Sequence, residues 1–287
     1  PQEEAPNVAP KRDKRLALIP VWNDAYTLEM AVESLAGHVD EVMVLDDGSR
    51  SEERDRYEAL AQQHAHVYLH VEPERNGWTV AREGLLEQMQ IRWGNARWLL
   101  WIDADDVLYE DRASEIEKMI ASGRPHIQLG LMELWGDHKC GAGRGWAKPH
   151  HDRCHVLLDA NVCCVEWKAK DTYTYVETGH VPYRWPEVTF AHAKGVKPDW
   201  RLALKQTLRP WLRKAASDRA QLTTVWASDE EIHRQANALL FDSQIDRIMP
   251  LPDYVSVPEK VQEHARFEVM WEGRRPVDRI DKESGRQ

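Results

Sequence analysis

The stretch Trp98 to Leu108, WLLWIDADDVL, sets the tightest limit on what this chain can fold into. Four apolar residues and an isoleucine lead directly into three carboxylates, Asp103, Asp105 and Asp106, within four positions. An uncharged run this short cannot span a bilayer, and without alternation it reads as a strand buried on both faces of a parallel sheet. The acids then emerge at the carboxyl end of the strand, where ligands bind in open α/β sheets. Carboxylates crowded together repel one another unless a cation sits among them. A hard divalent ion, Mn²⁺ or Mg²⁺, shared with substrate phosphates, suits such a cluster. The competing reading is that Asp105 and Asp106 cap the next helix.

The chain in order supports a strand-helix alternation. RLALIPV (Arg15 to Val21) is a first strand, stopped at Trp22, with Asn23 or Asp24 as cap of a helix from about Tyr26 to Ala36. EVMVL (Glu41 to Leu45) is a second strand, and Asp46-Asp47-Gly48-Ser49 turns into a charged helix near Ser51 to His64. Val67 to Val71 is a third strand, Trp78 to Trp93 carries a helical apolar stripe, and Trp98 to Ile102 closes the pattern of a parallel sheet with crossover helices. Beyond the acids, Arg112 to Ala121 reads as a helix ending at Gly123. HIQLGLMELW reads as one strand with Ile127, Leu129, Leu131, Glu133 and Trp135 on a common face. Gly141, Gly143 and Gly145 form a loop, and short β-like runs fill Val156 to Phe190. Asp199 to Ala216, Glu230 to Phe241 and Glu259 to Trp271 read as helices, the last preceded by the prolyl linker MPLPDYVSVP.

A chain of 287 residues can bury a substantial core. With 38 basic against 48 acidic residues it does not present a general surface for polyanions. No run approaches the ~20 apolar residues of a membrane span, and PQEEAPNVAPKRDKR lacks the apolar core of a signal peptide, so a cytoplasmic protein is expected. The four cysteines do not make a disulfide framework, and the thirteen tryptophans suit sugar faces as well as core packing.

IPVWNDAYTLEMAVESL, VMVLDDGSRS, RNGWTVAREG and WLLWIDADDVL, in this order and at these spacings, resemble the family-2-like glycosyltransferases of the GT-A fold. The resemblance implies an α/β fold with a central, mostly parallel, Rossmann-like sheet flanked by helices, and a helical C-terminal extension. It implies a flexible tail over 1–14, a nucleotide-sugar half over 15–110, an acceptor half over 111–196 and the extension over 197–287. Pro20, Val21, Asn23, Asp24 and Asp46 would line the nucleoside pocket of a UDP- or GDP-type donor, with Asp46 at a base edge and Arg82 facing the nucleotide. Asp103-Ala104-Asp105 matches the DxD element, in which Asp105 holds a divalent metal, Mn²⁺ or Mg²⁺, on the diphosphate. His192 in VTFAHAKG matches a histidine that returns to the metal. An inverting member also needs a carboxylate base, for which Asp171 and Glu177 are placed before His192, with Glu133 as the outsider. A retaining enzyme on this scaffold needs no such base.

Other readings compete for single features. His138, Cys140, His150, His151, Cys154 and His155 crowd together in a pattern able to assemble zinc, although without CxxC pairs. Arg201, Lys205, Arg209 and Arg213 form a basic stripe that is either a solvated face or a contact for anionic lipid, a phosphorylated acceptor or nucleic acid. Trp135 and Trp146 flank the expected acceptor side, for sugar stacking or for core packing. A nucleotidyltransferase would share the acidic sheet edge, but IPVWNDAYT lacks the glycine-rich basic loop common near strand one in that class. A nucleotide-sugar-binding module without turnover is the non-enzymatic alternative.

Overall fold

The computed structural model describes residues 13–94, 96–135, 137–142, 151, 153–170, 173–195, 248–250 and 261. Its centre is a seven-stranded sheet. Strands β1 (Arg15–Val21), β2 (Glu41–Asp46), β3 (Val67–Val71) and β4 (Trp98–Trp101) run parallel, and the register sets Ala17 beside Val42 and Leu100. β9 (Val156–Asp159) is antiparallel between β4 and β6 (His126–Gln128), and β12 (Tyr183–Arg184) closes the edge in the order β12-β6-β9-β4-β1-β2-β3. This is the mostly parallel sheet flanked by helices expected from the sequence.

Side chains alternate across that sheet to build two cores. Ala17, Ile19 and Val21 pack on the face covered by helices α1 (Ala25–Ser34), α2 (Ser51–Gln63) and α4 (Ser114–Ala121). Leu16, Leu18, Leu99 and Trp101 pack on the other, under α3 (Trp78–Trp93), through Ala81, Leu85, Met89 and Trp93. A hairpin, β10 (Glu166–Lys170) and β11 (Tyr173–Glu177), extends this second core with Trp167, whose ring meets Trp101 edge-on at 4.7 Å.

A five-stranded sheet in the order β14-β8-β7-β13-β5 carries the rest of the framework: β5 (Asp106–Leu108), β7 (Leu131–Trp135), β8 (Asp137–Ala142), β13 (Phe190–Gly195) and β14 (Ile248–Pro250). Three expectations change here. HIQLGLMELW is two strands in two sheets. The chain crosses over at Leu129 and Gly130, whose amide and carbonyl bond to His155 and to Thr189 and Phe190. Asp106 does not cap a helix but begins β5, and a short 3₁₀ turn, Glu110–Arg112, precedes α4. The expected prolyl linker opens with residues that pair with β8 instead. The expected helices between 199 and 271, the basic stripe at 201–213 and the loop glycines 143 and 145 fall outside the described residues, apart from a helical, buried Val261.

The β2–α2 turn is sensitive to a single methyl group. Gly48 has φ +71°, and a Cβ there would lie 2.3 Å from the Arg75 nitrogen and 2.4 Å from the Glu74 carbonyl carbon. Gly48→Ala must adopt a left-handed conformation and also push the β3–α3 loop away, which costs about 2–4 kcal/mol. Urea denaturation of the variant is expected to show a loss of that size, and an unchanged midpoint would contradict the close approach.

Candidate functional site

The site forms where β4 ends and β5 begins. The backbone between them is a reciprocal turn: the Asp106 N–H donates to the Asp103 carbonyl at 3.1 Å, and the Asp103 N–H donates to Asp106 Oδ2 at 2.7 Å. The Ala193 N–H donates to the Asp105 carbonyl at 2.7 Å, fixing the turn against β13. Three carboxylates are thus held by backbone hydrogen bonds at the carboxyl end of a buried strand, where the sequence places them.

Each acid meets a basic side chain. Asp103 Oδ1 accepts from Arg82 at 2.6 Å, and its Oδ2 lies 3.5 Å from His155 Nε2. Arg82, itself buried, also faces the rings of Trp167 and Trp78. Asp106 is fully sealed, with His155 Nε2 2.9 Å from Oδ2 and His192 Nδ1 2.6 Å from Oδ1. His192 Nδ1 is also 3.6 Å from Asp105 Oδ1. Burial alone would raise the Asp103 and Asp106 carboxyls, but Arg82 and His155 hold Asp103 well below its ordinary value, and His155 with His192 lowers Asp106. Burial alone would likewise lower the two histidines. The surrounding carboxylates reverse this and raise both, His155 well above its usual range.

The donor set fits a divalent ion. Oxygen and imidazole ligands suit Mn²⁺ and, with water, Mg²⁺. The ligand atoms of Asp106, His155 and His192 gather within 4.8 Å of one another, as do those of Asp103, Cys154 and His155. Because the histidines carry raised pKa values, an entering cation must displace protons from the cluster.

The side chains of three residues of the zinc pattern are described. Cys154 and His155 turn toward Asp103, whereas His151 Nε2 meets the Trp185 carbonyl at 2.7 Å. The side chains of His138, Cys140 and His150 lie outside the described residues.

The residues expected to line the nucleoside pocket knit two loops together. Asn23, at φ +50°, donates its N–H to Ser49 Oγ and accepts the Arg50 N–H on Oδ1. The Asp24 N–H donates to the Tyr57 hydroxyl, and Glu53 of α2 accepts the Ala25 N–H, thereby capping α1 in place of an Asn23 or Asp24 side chain. Pro20 and Val21 are buried beside Leu45 and Asp46. The fully buried Asp46 accepts from the Ser49 N–H at 2.9 Å and faces Arg54 Nε at 3.3 Å. Asp47 accepts the Asn76 and Gly77 N–H groups at 2.6 and 2.9 Å, and burial pushes its carboxyl up. Ala104 is buried between the two DxD acids.

On the acceptor side, Asp171, Trp146 and the side chain of Trp135 lie outside the described residues, and Glu177 is exposed at the end of β11 opposite Glu166. Glu133 is brought into the site: His192 pairs with Asp106 on one side and with Glu133 on the other, forming a transverse row across β5, β13 and β7. Sequence reasoning placed Asp106 in the acid cluster and His155 in the zinc pattern but did not bring the two together. The third acid of IDADD was the visible signal for Asp106, but nothing local announces that β9 inserts beside β4 and delivers His155.

His155 gives the cluster a defined pH dependence. Its folded pKa lies above the unfolded value of about 6.5, so its stabilisation is complete below that pH and is lost as pH rises through the folded value. His155→Gln breaks a buried pair at a cost on the order of 3–5 kcal/mol. In chelator-treated protein the stability gap between wild type and His155→Gln is therefore expected to be widest below pH 6.5 and to narrow as the pH rises through the raised folded value. Denaturation curves showing a constant gap would contradict a raised folded pKa for His155.

Among the described residues, no helix is long and apolar enough to cross a membrane. The chain is similar in structure to the mannosyltransferase PcManGT from Pyrobaculum calidifontis in complex with GDP-Man and Mn²⁺, at TM-score 0.46 and 14% identity, covering 94% of this chain and 84% of that one. It is similar also to GalNAc-T7 with UDP, GalNAc and Mn²⁺, at TM-score 0.36 and 14% identity, over 61% of this chain and 30% of that one. Both likenesses are too distant to carry a ligand across. A search of curated proteins finds no match. Residues 17–138, about two-fifths of the chain, match the family model described as glycosyl transferase family 2, and this span runs from β1 through the acid cluster into β8. Within that segment the chain is similar to glycosyl transferase family 2 domains.

Proposed function

We propose that the protein transfers a sugar from a UDP- or GDP-type nucleotide sugar to an acceptor hydroxyl, with a divalent ion held by Asp105 and His192. The observation that carries this reading is the acid turn of Asp103, Asp105 and Asp106 facing His192, at the carboxyl edge of β4 inside the family-matched segment. When bound, Mn²⁺ or Mg²⁺ would offset the negative charge that builds on the departing diphosphate. Arg82 holds Asp103 in place from α3. Pro20, Val21, Asn23, Asp24, Asp46, Arg82, Asp103 and Ala104 form the donor side, with residues 15–110 as the donor half and 111–196 as the acceptor half. Asp46 serves nucleoside binding through the turn it fixes, since its carboxylate is sealed beneath Ser49 and Arg54.

In an inverting transfer a carboxylate takes the acceptor hydroxyl proton as that oxygen bonds to the anomeric carbon, and the carbon–phosphate-oxygen bond breaks with its electron pair leaving on the diphosphate. Asp171, Glu177 and Glu133 are the candidates for this base. Glu133 is favoured by its place in the row with His192, where it is partly exposed while its neighbours Met132 and Leu134 turn into a core with Ala191 and Ala193.

Asp105→Asn keeps the shape of the side chain but removes the charge that the cation needs, so metal-dependent turnover of a nucleotide sugar is expected to fall by about 10²-fold or more. Near-normal Mn²⁺- or Mg²⁺-dependent turnover in that variant would sink the metal assignment. For the base, Glu133→Gln, Asp171→Asn and Glu177→Gln are to be compared for transfer and for donor binding. The true base variant is expected to lose transfer by ~10²-fold while donor affinity measured by calorimetry stays unchanged. Retention of transfer in all three points to a retaining reaction without such a base. Asp46→Ala is expected to weaken nucleoside diphosphate binding and to lower the melting temperature together; unchanged affinity in calorimetry would remove Asp46 from the donor side.

A further inference from the structure

We propose that Asp106 is a positioning residue for the metal-binding histidine: it takes the proton on His192 Nδ1, leaving Nε2 as the nitrogen with a lone pair for the cation. This deepens the metal reading above and rests on it. Asp106 cannot itself face substrate, because its side chain is 0% exposed. Its two oxygens are divided between two imidazoles, Oδ1 at 2.6 Å from His192 Nδ1 and Oδ2 at 2.9 Å from His155 Nε2. Oδ2 also accepts the Asp103 N–H at 2.7 Å, so the carboxylate cannot rotate without breaking the acid turn. The two rings stand edge to face, with centroids 5.5 Å apart, which leaves little room for either to swing.

A neutral imidazole carries one N–H and one lone pair, and a carboxylate on one nitrogen decides which is which. With Nδ1–H donated to Asp106, only Nε2 of His192 has an electron pair to offer. Ligating histidines are commonly oriented by a carboxylate in this way, and losing the carboxylate costs 10–100-fold in metal affinity. His155 acts from the other side: its contact with Oδ2 offsets part of the charge on Asp106 and pins the carboxylate at the angle His192 requires. The arrangement accounts for a third acid after the DxD pair, sealed from solvent and in contact with residues from three separate parts of the chain.

The test is Mn²⁺ binding followed by the electron paramagnetic resonance signal of the free ion, with UDP and with GDP present in parallel, for wild type, Asp105→Asn and Asp106→Asn. Wild type is expected to bind, Asp105→Asn to lose binding, and Asp106→Asn to bind about 10–100-fold more weakly. Affinity in Asp106→Asn within twofold of wild type would overturn the inference, and so would a loss as complete as that of Asp105→Asn, which would make Asp106 a ligand itself. Absence of binding in wild type, or its persistence in Asp105→Asn, would instead sink the metal reading. Nitrogen-15 spectra of histidine-labelled, metal-free wild type provide a measurement that does not depend on the variant folding. At a pH where the ring is neutral, His192 is expected as the Nδ1–H tautomer, and the Nε2–H tautomer would overturn the inference on its own.

Discussion

The sealed carboxylate of Asp106 is the interaction on which the architecture turns. It sits where β4 of the seven-stranded sheet gives way to β5 of the five-stranded sheet, and it binds residues from both. A buried charge of this kind is tolerated only when compensated and hydrogen-bonded; here two imidazoles compensate it, and His192 and a backbone N–H supply the hydrogen bonds. The two sheets cannot separate at this seam without stranding a carboxylate in the core. The same pairing that joins the sheets also places Asp105 and His192 opposite each other.

The donor half of the fold was legible because its signals are local. Strands β1 to β4 are short apolar runs, and each is followed by a polar turn that starts a helix, so period and punctuation agree. The acid cluster was readable for the same reason, since its members are neighbours in sequence. His155 was not, because it reaches Asp106 by an antiparallel strand inserted from about fifty residues away, and pairing across that distance leaves no mark in spacing. The split of HIQLGLMELW shows the same limit. Its alternation is real on both sides of Gly130, but only tertiary hydrogen bonds from Thr189 and Phe190 reveal that the chain changes sheets there.

The paired acids Asp46 and Asp47 show how a motif can be right in place and different in use. The resemblance points to Asp46 as a ligand-facing group, and the sequence reads Asp47 as part of the turn that follows it. In the folded chain both are buried, one fastening its own turn through Ser49 and Arg54 and the other fastening the β3–α3 loop through the amides of Asn76 and Gly77. Their contribution to the pocket is rigidity of the backbone around it. Asn23 and Glu53 extend that frame, tying the start of α1 to the start of α2.

Helix α3 carries a consequence of this frame. Its first residue, Trp78, follows directly on Gly77, whose amide is held by Asp47, and one turn later Arg82 grips Asp103. A single rigid turn of helix therefore spans the nucleoside-side loop and the acid turn. A ligand that shifted one end would shift the other, which would link occupation of the two ends energetically. By reciprocity, whatever one occupant gains from the presence of the second, the second gains equally from the first. The two halves of a donor complex would then assemble as a cooperative unit and release together once either is lost.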